Sequence, residues 1–264
     1  MGRFLSVDRL TSKAPSWSPF RFCADNPILI VDRDGNFEIG IHKAIMEQAI
    51  KNVSGISNDN ATKLVSGVKD ADIKGAHLDL HFDGRANKKA IDENWKTVNQ
   101  KIHNSTSFYE LGKNLHTVQD FYAHSNYTEL YVNYFKSQGG DLSKLKPGTI
   151  PLYENAPDEF KKYLEDNGLK TGEFHLPKYI LGIDNKKDGT HHDEIAKDHP
   201  DSGNGANCID ISSEAFTLHD IARDLALRAT AEILSNNRVE ENQKQQEKEK
   251  AEKKQEKKSK STNE

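Results

Sequence analysis

Residues 111–126 read LGKNLHTVQDFYAHSN, with His116, Asp120 and His124 each four positions apart. In a helix of about 3.6 residues per turn, positions i, i+4 and i+8 drift by only about 80° around the axis, so these side chains share one wedge. Two imidazoles and a carboxylate are the donors of a hydrolytic zinc site, and a shared carboxylate can bridge two ions. Leu111, Leu115, Val118 and Tyr122 take roughly the opposite face. The pattern predicts a helix buried on both sides, apolar toward a bundle and polar toward a central cleft. The alternative is a surface helix with incidental histidines, and Phe121 and Tyr122 argue against it.

Other donors lie along the chain. His42 opens an amphipathic run in which Ile41, Ile45, Ala49 and Val53 repeat at i+4 as a core stripe. A lone histidine beside such a stripe is more often a core or capping residue than a ligand. Carboxylates and imidazoles crowd together in GVKDAD (67–72) and HLDLHFDG (77–84). Taken alone, Asp70 and Asp72 read equally well as helix-end or turn residues, and His77 as a surface residue. Residues 190–200, THHDEIAKDHP, hold several further donors. His219 shares a face with Phe216, Ala222 and Ala226, which suits a metal ligand or a histidine that orients a ligating carboxylate.

Composition bounds the elements that must position these groups. The chain has 264 residues, is 34% hydrophobic and carries a formal net charge of −4. Its polar excess collects in 236–264, almost entirely Glu, Lys, Gln, Asn and Ser, which cannot bury enough apolar surface to fold alone. High helical propensity there predicts a charged rod that prolongs the preceding helix and frays, or a disordered tail. Lysines interspersed with glutamates form no basic stripe, so nucleic acid is not favoured as a partner. Cys23 and Cys208 lie far apart, without the spacing of a disulfide framework or a cysteine zinc site. Neither a secretory leader nor an apolar run of about 18 residues is expected, so export would need a carrier. The expected fold is mainly α: a helical bundle around a multinuclear metal cleft, after a short irregular or β N-terminal segment and before the polar tail.

Residues 2–35 read GRFLSVDRLTSKAPSWSPFRFCADNPILIVDRDG, with turns at Ala14-Pro15, Ser18-Pro19, Asn26-Pro27 and Asp34-Gly35. This segment closely resembles the end of the RHS-repeat-associated core domain, which carries GRFLS-D, PSWSPY and NNPI before a D-P-D-G junction. Arg33 stands where that family usually has proline. In RHS proteins a β-rich shell encloses a variable C-terminal toxin, and this motif marks their boundary. The resemblance implies a remnant over 1–35 and a toxin domain over 36–235. It also implies an RHS shell in a longer parent protein, a cognate immunity protein, and a secreted or delivered effector used in competition between bacteria.

The order His42, Asp72, His81, His116, Asp120, His124 resembles that of the ligands in the zinc-dependent phospholipase C and single-strand nuclease superfamily. That family has a histidine on an N-terminal helix, a G-x-x-x-A-D helix, an H-F segment and an L-G-x-x-L-H-x-x-x-D helix with a later histidine. LHTVQDFYAHSNYTEL (115–130) looks most like the Het-C group, with Tyr127 in place of a tryptophan. The likeness spans roughly 37–235 and is tightest over 111–130. It implies two late ligands, for which His192 and Asp198 are favoured, with His191 and Glu194 as rivals and His219 as a further candidate. Family members also use the amine and carbonyl of an N-terminal tryptophan. Trp17 does not match it, so two zinc ions, with an incomplete third, are implied.

The chemistry implied is phosphodiester hydrolysis. Asp120 would bridge two zinc ions that activate a water, and Asp72 would orient or deprotonate that water. No serine or cysteine nucleophile in a triad-like setting is needed. Aromatics between Tyr131 and Tyr179 suit either a lid over a lipid or plain packing. The scarcity of clustered Lys and Arg favours phospholipid over single-stranded nucleic acid. The expectation is therefore a phospholipase C-like hydrolase acting at the target-cell membrane. Its alternatives are a nuclease on the same scaffold and a non-catalytic, membrane-active Het-C-like module.

Overall fold

A computed structural model describes residues 40–74, 81–82, 84–172, 195–197, 203–207 and 216–261. Contacts divide the chain between Ile41 and His42, and the second unit is the one described below. The described helices are α1 (Gly40–Lys51), which enters that unit at His42, α2 (Asn58–Lys74), α3 (Lys88–His103), α4 (Phe108–His124), α5 (Tyr127–Ser137), α6 (Asp158–Asp166), α7 (Leu218–Ser235) and α8 (Val239–Ser261). The protein is mainly α, as expected. Among the described residues there is no strand, and Ser125 and Thr171 form an isolated antiparallel bridge. The RHS-like residues 1–35 lie outside the described residues.

Local sequence starts these helices where capping chemistry places them. Ser107 accepts the Glu110 N–H to open α4, while Glu110 Oε2 accepts the Thr106 N–H at 3.0 Å. Thr217 and Asp220 form a reciprocal capping box on α7. The far end of α4 is closed by distant segments. Its last turn leaves carbonyls with no partner inside the helix. Lys197 N–H donates to the Ala123 carbonyl (3.0 Å), Gly172 N–H to that of His124 (2.8 Å), and the Lys197 ammonium to that of Ser125.

Helix α4 is the central element, packed against α2, α3 and α7. One side joins an aliphatic cluster of Met46, Ala49, Leu64, Val68, Phe108, Leu111, Leu115, Leu234 and Val239. Two glycines let α2 and α4 approach backbone to backbone. A Cβ on Gly112 would lie 2.3 Å from the Leu64 carbonyl oxygen, and one on Gly67 would lie 2.1 Å from that of Tyr109. These are the glycines of the G-x-x-x-A-D and L-G-x-x-L-H strings, so the motifs carry a packing constraint as well as donors.

The other side of α4 meets an aromatic layer. Phe121 packs against Phe82 (5.1 Å between centroids), Trp95 (5.2 Å) and Tyr153 (5.0 Å), and Trp95 stacks on Tyr153 at 5.6 Å. Burial raises the phenol pKa of Tyr122, Tyr127 and Tyr153. In α5 and α6, the half-buried Tyr131 and Tyr134 pack on buried Phe160 at 4.9 and 5.0 Å. Among the described residues the insert's aromatics are thus largely packed; Phe174 and Tyr179 lie outside them.

The tail departs from a simple extension of α7. That helix stops at Ser235, and a new helix begins at Val239. Val239 is buried in the aliphatic cluster, and Asn242 Nδ2 donates to the carbonyls of His103 (2.7 Å) and Ser105 (3.1 Å). The first turn of the polar segment is therefore part of the folded domain. An apolar residue within a polar run was the available signal for it.

Candidate metal centre

Asp120 lies on α4, 1% exposed, with imidazoles on both of its oxygens. Oδ2 is 2.6 Å from His81 Nδ1 and 3.2 Å from His116 Nε2. Oδ1 is 3.2 Å from His42 Nε2 and 3.8 Å from His124 Nδ1. Donor atoms of His42, His116 and Asp120 all fall within 4.8 Å of one another. The rings crowd as closely: His42 and His116 centroids are 4.3 Å apart, and His116 Nε2 is 3.2 Å from His81 Nδ1.

Each residue arrives by an identifiable route. His116, Asp120 and His124 share a wedge of α4, as the spacing predicted. His42 comes from the first turn of α1, on the same stripe as the buried Ile45, Met46 and Ala49, so it continues the buried face. His81 belongs to no helix, and its neighbour positions it. Phe82 is fully buried against Trp95 and Phe121, which sets His81 over Asp120 one residue along each chain.

The electrostatics are those of a site built for cations. Burial opposes ionisation of Asp120, but the attraction of His116, His124 and His81 outweighs it and holds the carboxyl well below its usual range. Burial also lowers the pKa of His116; Asp120 pulls the other way, and His42 and His81 add to the lowering. His116 is thus favoured as the neutral imidazole, the form that ligates metal. His116 Nδ1 and Asp120 Oδ1 are buried without a hydrogen-bond partner. Asp120 Oδ1 meets His42 Nε2 only as an ion-pair contact at 3.2 Å, and a cation among the donors would give that oxygen a closer partner. The converging imidazoles of His42 and His116 and the carboxylate of Asp120 are donors that could hold a metal ion. The residues fit a metal on chemistry and on geometry.

The remaining candidates fall elsewhere. Asp72 is in the last turn of α2, with its side chain outside the described residues. His77, His191, His192, Glu194 and Asp198 also lie outside them. His219 is buried, and its Nδ1–H donates to the Lys197 carbonyl at 2.6 Å, a main-chain oxygen and not the carboxylate considered from sequence. It is not one of the three residues whose donor atoms converge. Ala222 and Ala226 are buried on its helix, whereas Phe216 is 41% exposed and does not share that buried face. A cavity of about 280 Å³, lined by Tyr122, Glu154, Glu232 and Arg238 among others, contains none of the clustered residues.

Two supporting residues escaped the sequence reading. Gln119 is fully buried and its Oε1 lies 2.9 Å from His42 Nδ1. Lys197 is 1% exposed, with its ammonium 3.1 Å from Glu129 Oε1 and bonded to the carbonyls of Ser125 and Ile195. A buried lysine must be paired and hydrogen-bonded, and this one ties residues 195–197 to the end of the ligand-bearing helix. Each stood inside a string singled out for its neighbours, Gln119 beside Asp120 and Lys197 beside Asp198. Comparison of the chain with protein-family models, with curated proteins and with solved structures gave no match.

Proposed function

We propose that this helical domain binds zinc through His42, His81, His116, Asp120 and His124 and hydrolyses phosphodiesters, acting as a phospholipase C-like toxin on membrane phospholipids. The observation that carries the metal reading is Asp120, buried, with two imidazoles facing each of its oxygens. Zinc held there would acidify a bound water and polarise a phosphoryl oxygen.

The chain's own groups have separable roles. Asp120 joins the two halves of the cluster, His42 with His124 and His81 with His116. Phe82 holds His81 in place from behind, and the aromatic layer around Phe121 keeps bulk water from that side of the helix. Asp72 is assigned the attacking water, and late donors among His191, His192, Glu194, Asp198 and His219 are assigned to the incomplete third ion. The choice of lipid rests on the likeness of 115–130 to Het-C and on the scarcity of clustered Lys and Arg in the sequence near the candidate ligands. The toxin role, the immunity protein and carrier-mediated delivery rest on the RHS-like residues 2–35.

Metal analysis joined to a substrate panel tests the reading. The expected result is about two zinc ions per chain and release of diacylglycerol from phosphatidylethanolamine vesicles, abolished by chelation. Degradation of single-stranded DNA with lipids spared would reassign the domain as a nuclease. Bound zinc with neither activity would leave a non-catalytic membrane-active module.

A further inference from the structure

The histidine that α1 contributes is not oriented by its own helix. His42 Nδ1 faces Gln119 Oε1 at 2.9 Å. Gln119 Nε2 donates to Thr230 Oγ1 at 3.2 Å, and the Thr230 hydroxyl donates to the Ala226 carbonyl at 2.7 Å. Gln119 and Thr230 are both fully buried, so water does not supply substitutes.

Proton direction in this chain is fixed from one end. A main-chain carbonyl only accepts, so the Thr230 hydroxyl proton is spent on Ala226 and its oxygen can only accept from Gln119. The end of Gln119 that faces Thr230 is therefore its NH₂ group, and the end that faces His42 is its oxygen. An amide oxygen only accepts, so His42 carries a proton on Nδ1. In the neutral ring the basic nitrogen is then Nε2, the atom 3.2 Å from Asp120 Oδ1. A flipped Gln119 would set its NH₂ against His42 and select the opposite tautomer, with Nε2 protonated toward the cluster and unable to ligate.

We infer that Gln119 is a positioning residue: with Thr230 and the Ala226 carbonyl it forms a relay from α7 through α4 to α1 that sets the tautomer of His42 and presents its Nε2 to a cation. The inference rests on the metal reading above for its purpose, while the tautomer is a property of the metal-free protein. Histidines that ligate metals commonly need such an outer partner, and losing it costs about 10–100-fold in affinity.

The test is ¹⁵N NMR of the His42 ring in chelated protein above the usual imidazole pKa of about 6.5, paired with zinc competition titrations. Wild type should show protonated Nδ1. Gln119→Met, close in volume and unable to accept, should lose that preference and weaken zinc about tenfold or more. Gln119→Glu keeps an acceptor toward His42 and should retain the Nδ1–H form. Thr230→Val removes the hydroxyl that fixes the amide, and should mix the two tautomers; it also serves if Gln119→Met does not fold. Retention of the Nδ1–H form in both Gln119→Met and Thr230→Val, or its absence in wild type, overturns the relay. Failure of wild type to bind zinc would instead overturn the metal reading and leave the tautomer result standing.

Discussion

Helix α4 has two buried faces that solve different problems. Toward α2 it presents Gly112 at backbone-contact distance, with Leu111 and Leu115 in a hydrophobic cluster. Toward α1 and His81 it presents His116, Gln119, Asp120 and His124, equally buried but with His116 Nδ1 and Asp120 Oδ1 lacking hydrogen bonds. The first face lowers the free energy of folding, since burying an apolar side chain contributes about 1.5–3 kcal/mol. The second withholds solvation from charged and polar groups, a stability cost that marks it as the candidate site. Equal burial with unequal satisfaction thus separates the scaffold from the site on one helix.

Substitutions on each face should break different properties. Asp120→Asn keeps shape but removes the charge shared by four imidazoles. Zinc affinity should fall by more than the roughly 100-fold typical of losing an outer partner, and phosphodiesterase activity and toxicity with it, while circular dichroism stays helical. Unchanged zinc content in that variant would remove Asp120 from the centre. On the opposite face Leu115→Ala should destabilise by about 3 kcal/mol through cavity formation. Gly112→Ala should cost about 2 kcal/mol as its Cβ meets the Leu64 backbone. Both should leave zinc stoichiometry of the folded fraction intact, and Gly40→Ala, which meets nothing within 4 Å, is the control. If either core variant lost zinc before it lost stability, the two faces would not be separable.

Acidification sharpens the contrast further. His116 is held neutral, with its folded pKa below the usual value of about 6.5. The unfolded chain therefore binds more protons across that interval, and His116 contributes stability that declines as pH falls below about 6.5. Asp120, depressed below its usual range, adds a loss of the same sign at more acid pH. Denaturant unfolding of chelated protein from pH 7 to 5 should show a decline that His116→Gln reduces. A difference between wild type and His116→Gln that stays flat across that range would overturn the lowered pKa of His116.

The tail divides into a part that the core needs and a part that it does not. Ending the chain after Lys244 keeps Val239 and Asn242 and should change stability by no more than about 0.5 kcal/mol. Ending it at Asn237 removes both and should cost about 2–3 kcal/mol, measured as a shift in denaturant midpoint. Equal behaviour of the two truncations would show that Val239 packing is not needed by the core.

The sequence was legible where spacing alone encodes geometry. The i, i+4, i+8 series on α4 requires only helical periodicity, and that face and its apolar counterpart stand as read. His42 was harder, because a histidine near a stripe becomes a site residue only when another helix brings donors to it. His81 was visible only through the H-F resemblance, since a non-helical residue has no periodicity to betray its direction. Its position comes from Phe82 wedged between Trp95 and Phe121, residues 13 and 39 positions downstream. The end of the tail's folded part was missed because composition averaged over a polar run hides a buried valine.

The sequence by itself determined the mainly helical class and the donor types, because helix period and side-chain chemistry are local properties. It also determined which residues of α4 share a face. Tertiary structure alone decided that His42 and His81 join the imidazoles of α4 on the two oxygens of Asp120 and that Gln119 fixes a proton on His42. It alone decided that Lys197 closes the end of α4. Those outcomes depend on contacts between residues 39 to 111 positions apart, and no local pattern sets the distance between atoms that only packing brings together.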